Sequence, residues 1–272
     1  MNETATVGSD SLYALSGPTF VYLRKNYYLC GMVSKNTIKL VRSLQQKKFR
    51  DELGLFVAEG EKCVEELKKS FSLVHLFDKD NATEREIEQM SGLRTPQGTI
   101  AVFRKQDLAQ TPPLSWEDGQ EVMLVLDGVQ DPGNLGTIIR TADWFGISRI
   151  VCSEDTCDCY NPKVVQATMG SLARVRVHYT DLQQWLTVQR SSLCNPPAAI
   201  YGTLLEGNNI YEEHLHKPCI IVMGNEGNGI SAQVRALVTH PVSIPSFRQG
   251  DHAESLNVSI ATAITLSEFM RR

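Results

Sequence analysis

Apolar residues in the second half of the chain come in short runs, at residues 122–126, 149–152, 173–177, 198–201, 220–223 and 242–244. These runs are rich in Val and Ile and are nearly continuous, the pattern of strands buried on both faces of a sheet. Between them, apolar residues recur every three or four positions. One such stretch, residues 134–145, aligns Leu135, Ile138, Ile139, Ala142 and Phe145 on a single helical stripe. Another closes the chain. There Leu256, Ile260, Ala263, Ile264 and Met270 recur at helical spacing, with Glu254 and Ser255 where a first turn favours a carboxylate and a hydroxyl. The alternation predicts an α/β fold with a mostly parallel sheet covered by helices on both faces. Ligands of such sheets bind beyond the carboxyl ends of the strands.

The first third reads differently. Residues 34–50 predict one basic amphipathic helix with Ile38, Val41, Leu44 and Phe49 on its apolar side. A strand at 54–60, a helix at 61–69, a strand at 73–77, and a turn leading into a strand up to Phe103 follow. Together they make a small α/β unit over residues 34–105. Residues 106–120, with Pro112, Pro113 and Gly119, read as a linker to a unit spanning 121–272. Residues 1–33 lack periodicity, and Arg24 and Lys25 interrupt their apolar letters. They are expected to be a disordered or mis-assigned extension with the natural start at Met32, and neither a signal peptide nor an anchor.

Composition narrows the class. With 272 residues, 42% hydrophobic and 21% charged, the chain is long enough for two domains of ordinary globular character. No apolar run reaches the length of a membrane span, so no membrane role is expected. Seven cysteines without a secretory signal suggest reduced thiols in the cytoplasm. Cys152, Cys157 and Cys159 lie close in sequence, but they lack the paired spacing and fourth ligand of a structural zinc site, and no metal is expected. The net charge of −4 hides a local imbalance: residues 34–50 hold Lys35, Lys39, Arg42, Lys47, Lys48 and Arg50 and no acid. A cluster of this kind suits a phosphate backbone, and Lys39, Arg42, Lys47 and Lys48 are the candidate RNA contacts.

Three polar segments fall at strand ends. They are Asp127-Gly128-Val129-Gln130-Asp131-Pro132-Gly133-Asn134-Leu135-Gly136, then Gly224-Asn225-Glu226-Gly227-Asn228-Gly229, and finally Ser255-Leu256-Asn257-Val258-Ser259, preceded by Ile244-Pro245. The Gly224-x-x-Gly227-x-Gly229 spacing is not that of a dinucleotide fingerprint, which argues against a nucleotide-dependent oxidoreductase. In this order the three segments resemble the motifs of the SpoU-TrmH family of RNA ribose 2′-O-methyltransferases, over about residues 34–272. The unit before the linker resembles the substrate-binding domain that precedes many SpoU methyltransferases. The polar loop at 246–254, with Arg248, Asp251 and His252, is about three residues longer than the family pattern.

That resemblance implies a deep trefoil knot in the parallel sheet, S-adenosylmethionine as cofactor, RNA as partner and a homodimer. Ribosomal RNA is the expected substrate. Transfer RNA and an RNA-binding assembly factor with a lapsed methyltransferase domain are the alternatives. By the same resemblance Gly224, Ile244 and Leu256 match cofactor-binding positions, with Thr203 beside them. Arg140, Asn134, Glu226, Ser255 and Asn257 match catalytic ones. Periodicity adds that Arg140 points roughly 150° from the centre of its helix's apolar stripe, beside Trp144, as if toward a partner. Asn134 is expected to cap that helix or orient Arg140, and Glu226 to hold Asn134, Arg140 or a loop. Arginine keeps its proton so firmly that stabilising an alkoxide or gripping a phosphate suits Arg140 at least as well as acting as a base. His252 reads as an exposed loop residue.

Overall fold

A computed structural model describes residues 33–107, 122–190, 199–250 and 253–271. The expectations for residues 1–32, for most of the linker and for Asp251 and His252 lie outside the described residues. The chain begins with α1 (Lys35–Ser43), which Ser34 caps by accepting a hydrogen bond from the Thr37 N–H at 3.1 Å. Here the expected single basic helix is interrupted. A corner at residues 44–46 separates α1 from α2 (Lys47–Leu53), which ends on Gly54 in the left-handed conformation. Arg50 holds the corner, its Nη1 donating to the carbonyls of Leu44 and Gln45, both at 2.9 Å. One of the six cations of the basic segment, outside the four candidate RNA contacts, is thus only 2% exposed.

The first sheet follows: β1 (Leu55–Glu59), α3 (Glu61–Leu67), β2 (Leu73–Phe77), α4 (Glu84–Met90) and β3 (Ile100–Arg104). Its three strands are antiparallel in the order β1-β3-β2. A reciprocal capping box between Thr83 and Glu86 starts α4.

The second sheet is entirely parallel. Its elements are β4 (Val122–Leu126), α5 (Pro132–Trp144), β5 (Arg149–Cys152), α6 (Pro162–Thr168), β6 (Arg176–Tyr179), α7 (Leu182–Arg190), β7 (Ala199–Asn209), β8 (Cys219–Met223), α8 (Ala232–Arg235), β9 (His240–Ser243) and α9 (Val258–Arg271). The strand order is β6-β5-β4-β8-β7-β9. As the continuous apolar runs imply, both faces are buried. Along β4, Val122, Leu124 and Leu126 join a core with residues of α5, α6 and α9, while Met123 and Val125 join another with residues of α7 and α8. No helix among the described residues is long and apolar enough to cross a membrane.

Three local expectations change. Residues 173–177 are not one strand: a 3-10 turn at Ser171–Ala173 precedes β6, which runs to Tyr179. β7 extends to Asn209, and Val242 of β9 faces both Thr203 and Asn208, so residues 204–207 bulge out of the ladder. Gly207 allows this close approach, since a Cβ there would lie 2.4 Å from the Val242 carbonyl carbon. The terminal helix, finally, begins at Val258 and is rotated from the expected phase. It buries Val258, Thr262, Thr265, Leu266 and Phe269, and leaves Leu256, Ile260 and Met270 at 50%, 52% and 40% exposure. Thr262 can enter the core because its hydroxyl donates back to the Val258 carbonyl at 2.7 Å.

The two sheets share a continuous core. Tyr160, just before α6, sits against Phe56 and Phe71 with ring centroids 4.8 and 6.2 Å apart, and Val164 and Val165 complete the contact. Arg50 donates to Asp158 Oδ2 from Nε at 3.0 Å and from Nη2 at 2.7 Å. Arg174 bridges Glu66 of α3 at 2.5 Å and Asp143 of α5 at 2.8 Å. Cys152 and Cys159 are buried thiols in the same region, and burial followed by the charge of Asp158 pushes Cys159 up to about 12. Among the described residues no group of three or more His, Cys, Asp or Glu is placed to hold a metal ion. Replacing Arg50 by Met should leave Asp158 and two helix-end carbonyls without their donor, and destabilise the protein by about 3 kcal/mol. Urea denaturation measures this; a loss under about 1 kcal/mol would show that the ion pair does not hold the units together.

Candidate active site

Strand register fixes where the motif loops emerge. Leu126 lies opposite Met223, Gly202 opposite Val222, and Thr203 opposite Val242. The carboxyl ends of β4, β8 and β9 therefore stand in one row with the part of β7 just before its bulge. Beyond that row come Asp127, Gly224 and Ile244, with Thr203 in it. Thr203 Oγ1 donates to the Val222 carbonyl at 3.2 Å, which ties β7 to β8. Ile244 is half-buried against the main core.

Gly224 has a structural reason that the sequence did not suggest. A Cβ on it would lie 2.3 Å from the Gly229 carbonyl carbon and 2.4 Å from the Ile230 nitrogen, so the loop doubles back over the glycine itself. Asn225 and Gly229 close that loop with paired backbone hydrogen bonds at 2.9 and 3.0 Å. Besides matching a cofactor-binding position by resemblance, Gly224 is thus demanded by the chain's own backbone.

Side chains then lace the loops together. Glu226 accepts from Asn134 Nδ2 at 3.1 Å and from the backbone N–H groups of Gln130 and Asp131 at 3.3 and 3.2 Å. Asn134 Oδ1 accepts from Asn257 Nδ2 at 2.9 Å. Asn257 Oδ1 in turn accepts from the N–H groups of Ser259 and Ile260, at 3.0 and 3.3 Å, and from the Ser259 hydroxyl at 2.6 Å. Asn257 thus caps α9, and one chain of contacts runs from the β8 loop through α5 to the last helix. Partial burial pushes the Glu226 carboxyl up, but the hydrogen bonds from Asn134 and the backbone outweigh it and hold the group below its ordinary value. It is an ionised acceptor.

Of the expected catalytic residues, Asn134, Glu226 and Asn257 are in direct contact. Asn134 does not cap α5: Asp131 does, accepting from the Asn134 N–H at 2.8 Å, with Pro132 in the first turn. Ser255 is exposed, precedes the helix rather than starting it, and carries no hydrogen bond among the described residues. Leu256 is half exposed beside Asn257. Arg140 lies six residues along α5 from Asn134, about 9 Å in rise and 120° in rotation. It is exposed and has no ionic or hydrogen-bonded partner among the described residues, with Trp144 one turn on at 86% exposure. Lys39, Arg42, Lys47 and Lys48 are all exposed on α1 and α2.

Two residues escaped notice in the sequence. Asn225 donates to the Gly128 carbonyl at 2.6 Å and accepts from the N–H groups of Gly227 and Asn228, both at 2.9 Å, so it sets the shape of two loops. Asp127, 7% exposed, accepts from the Ser231 N–H at 2.7 Å and anchors the start of α8. An amide or acid immediately after a buried strand was the available signal.

Residues 121–267, which contain this entire network, match the model of the SpoU rRNA Methylase family. The chain belongs to the SpoU methylase family. Residues 35–86 match the MRM3-like substrate binding domain. Among similar proteins is the 23S rRNA (guanosine(2553)-2′-O)-methyltransferase RlmP of Bacillus subtilis (strain 168), 30% identical over 84% of this chain and 93% of its own length. An RNA methyltransferase of the TrmH family from Porphyromonas gingivalis superposes with a TM-score of 0.77 at 37% identity, covering 89% of this chain and 99% of that one. The AdoMet-bound rRNA methyltransferase of Sinorhizobium meliloti gives 0.75 at 29% identity, over 89% and 97%.

In this SpoU protein the amide relay should be cooperative. Asn134→Ala and Asn257→Ala are each expected to destabilise by about 1 kcal/mol, with a coupling of about 0.5 kcal/mol or more in the double variant. Strict additivity in a denaturation cycle would mean that the contact contributes nothing. The Glu226 carboxylate contributes above its unfolded value near 4.5, and its contribution is lost as pH falls through the lower folded value. The stability gap between parent and Glu226→Gln should accordingly close only in acid.

Proposed function

We propose that the protein methylates a ribose 2′-hydroxyl in ribosomal RNA, using S-adenosylmethionine, as a homodimer in the cytoplasm. The observation that carries this is the Glu226–Asn134–Asn257 relay, which gathers all three motif loops at one end of the parallel sheet. A ribose 2′-hydroxyl makes the substrate RNA rather than DNA. Ribosomal rather than transfer RNA is favoured by the 23S rRNA activity named for the B. subtilis relative and by the match of residues 35–86 to a substrate-binding domain. The intact relay speaks against a lapsed enzyme.

The residues present suit the cofactor. Thr203, Gly224 and Ile244 lie on or just after the neighbouring strands β7, β8 and β9, and Leu256 adjoins Asn257 of the relay, which supports assigning the cofactor to them. Gly224 would leave room for the cofactor there, and Ile244 and Leu256 would contact its adenine largely through their backbone. Bound S-adenosylmethionine would supply a methyl group already activated by its positive sulfur. What the protein must add is alignment of the acceptor and stabilisation of the oxygen as it loses its proton. Arg140 is assigned that second task, through the alkoxide or the neighbouring phosphate. Ser255, exposed two residues before the relay's Asn257, is assigned to contact with RNA. The knot implied by family likeness is part of the same reading, supported by β9 lying beside β7 and α9 returning onto α5.

Exposed apolar surface supports the dimer. Trp144, Leu256, Ile260 and Met270 are exposed on or beside α5 and α9, two helices in contact with each other. A groove of about 360 Å³, lined by Tyr211, Ala263, Ile264 and Arg271, runs along α9. In that dimer Arg140 would serve the other copy's relay, since within its own chain it has no ionic or hydrogen-bonded partner among the described residues.

Calorimetry should detect S-adenosylmethionine binding and no NAD binding, and absence of the former would sink the cofactor assignment. Arg140→Ala is expected to leave fold and cofactor affinity intact and to cut turnover by about a hundredfold or more. Mixing Arg140→Ala with Ile244→Trp, which fills the cofactor position, should restore some activity. No recovery after verified subunit exchange would place Arg140 in its own chain's site.

A further inference from the structure

We propose that the hollow between the α1–α2 corner and the turn after α4 receives one unpaired nucleobase of the bound RNA. This rests on the reading of residues 35–104 as the unit that holds RNA, and adds to it a subsite distant in sequence from the methyl-transfer loops. The hollow measures about 510 Å³ and is lined by Lys39, Arg42, Gln45, Gln46, Phe49 and Met90, with Ser91 at its edge. Its lining includes two cations and no acid. Met90 is fully buried and forms part of its floor, and Phe49 is half-buried at its side, so one wall is apolar and contains a ring. Unpaired bases are held in such places, by stacking on one side and amide hydrogen bonds at the edge, with cations on the flanking phosphates.

The polar wall is built and has an unused group. Glu59, 5% exposed, accepts from the Ser91 hydroxyl at 2.6 Å and from the Gly92 N–H at 2.7 Å, which fixes the turn. Gln45 then lies over Gly92 so closely that a Cβ on that glycine would be 2.7 and 2.8 Å from its amide oxygen and nitrogen. The Gln45 Nε2 is buried and has no hydrogen-bond partner. A buried amide nitrogen left unpaired costs stability, and a turn of the Gln45 side chain into the hollow would let a base edge supply the missing acceptor. Arg50, which fixes the corner that carries Gln45, makes the subsite stiff rather than adaptable. A fully paired helix keeps its bases stacked inside and could offer only phosphates to Lys39 and Arg42.

Gly92 provides the test. Its backbone is not in the left-handed region, so Gly92→Ala is tolerated by the chain and acts by pushing the Gln45 amide aside. Full-length protein is titrated with a ten-nucleotide single-stranded RNA, its duplex, and an abasic strand of equal length, at several salt concentrations. The base-bearing single strand should bind about tenfold more tightly than the abasic one, the scale of one stacked base. Gly92→Ala and Gln45→Ala should each erase that preference without changing the salt slope. Lys39→Gln with Arg42→Gln should instead lower the slope by about two. A 4-thiouridine in the single strand should photocrosslink to Phe49, and the crosslink should vanish in Gly92→Ala. Equal affinity for base-bearing and abasic strands, or crosslinks only outside the hollow, would overturn the subsite alone. Failure of the parent protein to bind any of the three RNAs would overturn the RNA-holding role as well.

Discussion

The Glu226 carboxylate is the fixed point from which the order of the site is set. An ionised carboxylate can only accept, so each of its neighbours must present a donor. Asn134 does so with its amide nitrogen, which leaves its oxygen turned toward Asn257. Asn257 is thereby obliged to use its nitrogen on Asn134 and its oxygen on the free N–H groups that open α9. One charge dictates the orientation of two amides and the seating of a helix, across sequence separations of 92 and 123 residues. The same carboxylate holds the Gln130 and Asp131 backbone, so the loop that leads into α5 is fixed from the same point.

A second constraint joins the smaller sheet to the larger. Arg50 spends its donors on two helix-end carbonyls and on Asp158, and the rings of Phe56 in β1 and Phe71 just before β2 close over Tyr160. The exposed cations of α1 and α2 are consequently carried on a rigid mount rather than on a tether. RNA gripped at α1 and α2 would be presented to the strand-end loops at a set distance, which suits an enzyme whose chemistry depends on alignment more than on activating a reactant.

Helices α5 and α9 each carry apolar residues on more than one side. The inward sides fill the core through Leu135, Ile138, Ile139, Leu266 and Phe269, while Trp144 and Ile260 remain outside. Large apolar groups on the outer side of adjoining helices are the usual sign of a surface completed by association. Gly136 shows how tightly the inner side is already committed. A Cβ there would lie 2.4 Å from Ala167 of α6, so α5 has no room to roll and hide its outer residues.

Periodicity and residue type alone determined the parallel α/β sheet, the helix carrying Arg140 and the strand-end placement of the three motif loops, while the likeness of those motifs to a known family pointed to the family that residues 121–267 match. Those features are local: a doubly buried strand must be apolar throughout, and a helix must repeat near every fourth residue. Tertiary structure decided the rest. Both possible phases of α9 contain enough apolar residues to be read as a core stripe. Only packing against α5 and Tyr201 selects the one with Thr262 and Phe269 inside. Arg50 is indistinguishable from its basic neighbours until Asp158 lies beside it, 108 residues away in sequence. The division of labour among Asp131, Asn134 and Asn257 was likewise illegible, because all three are competent helix caps. Which one caps, and which one relays, is settled only by the donor or acceptor that the folded chain brings within 3 Å.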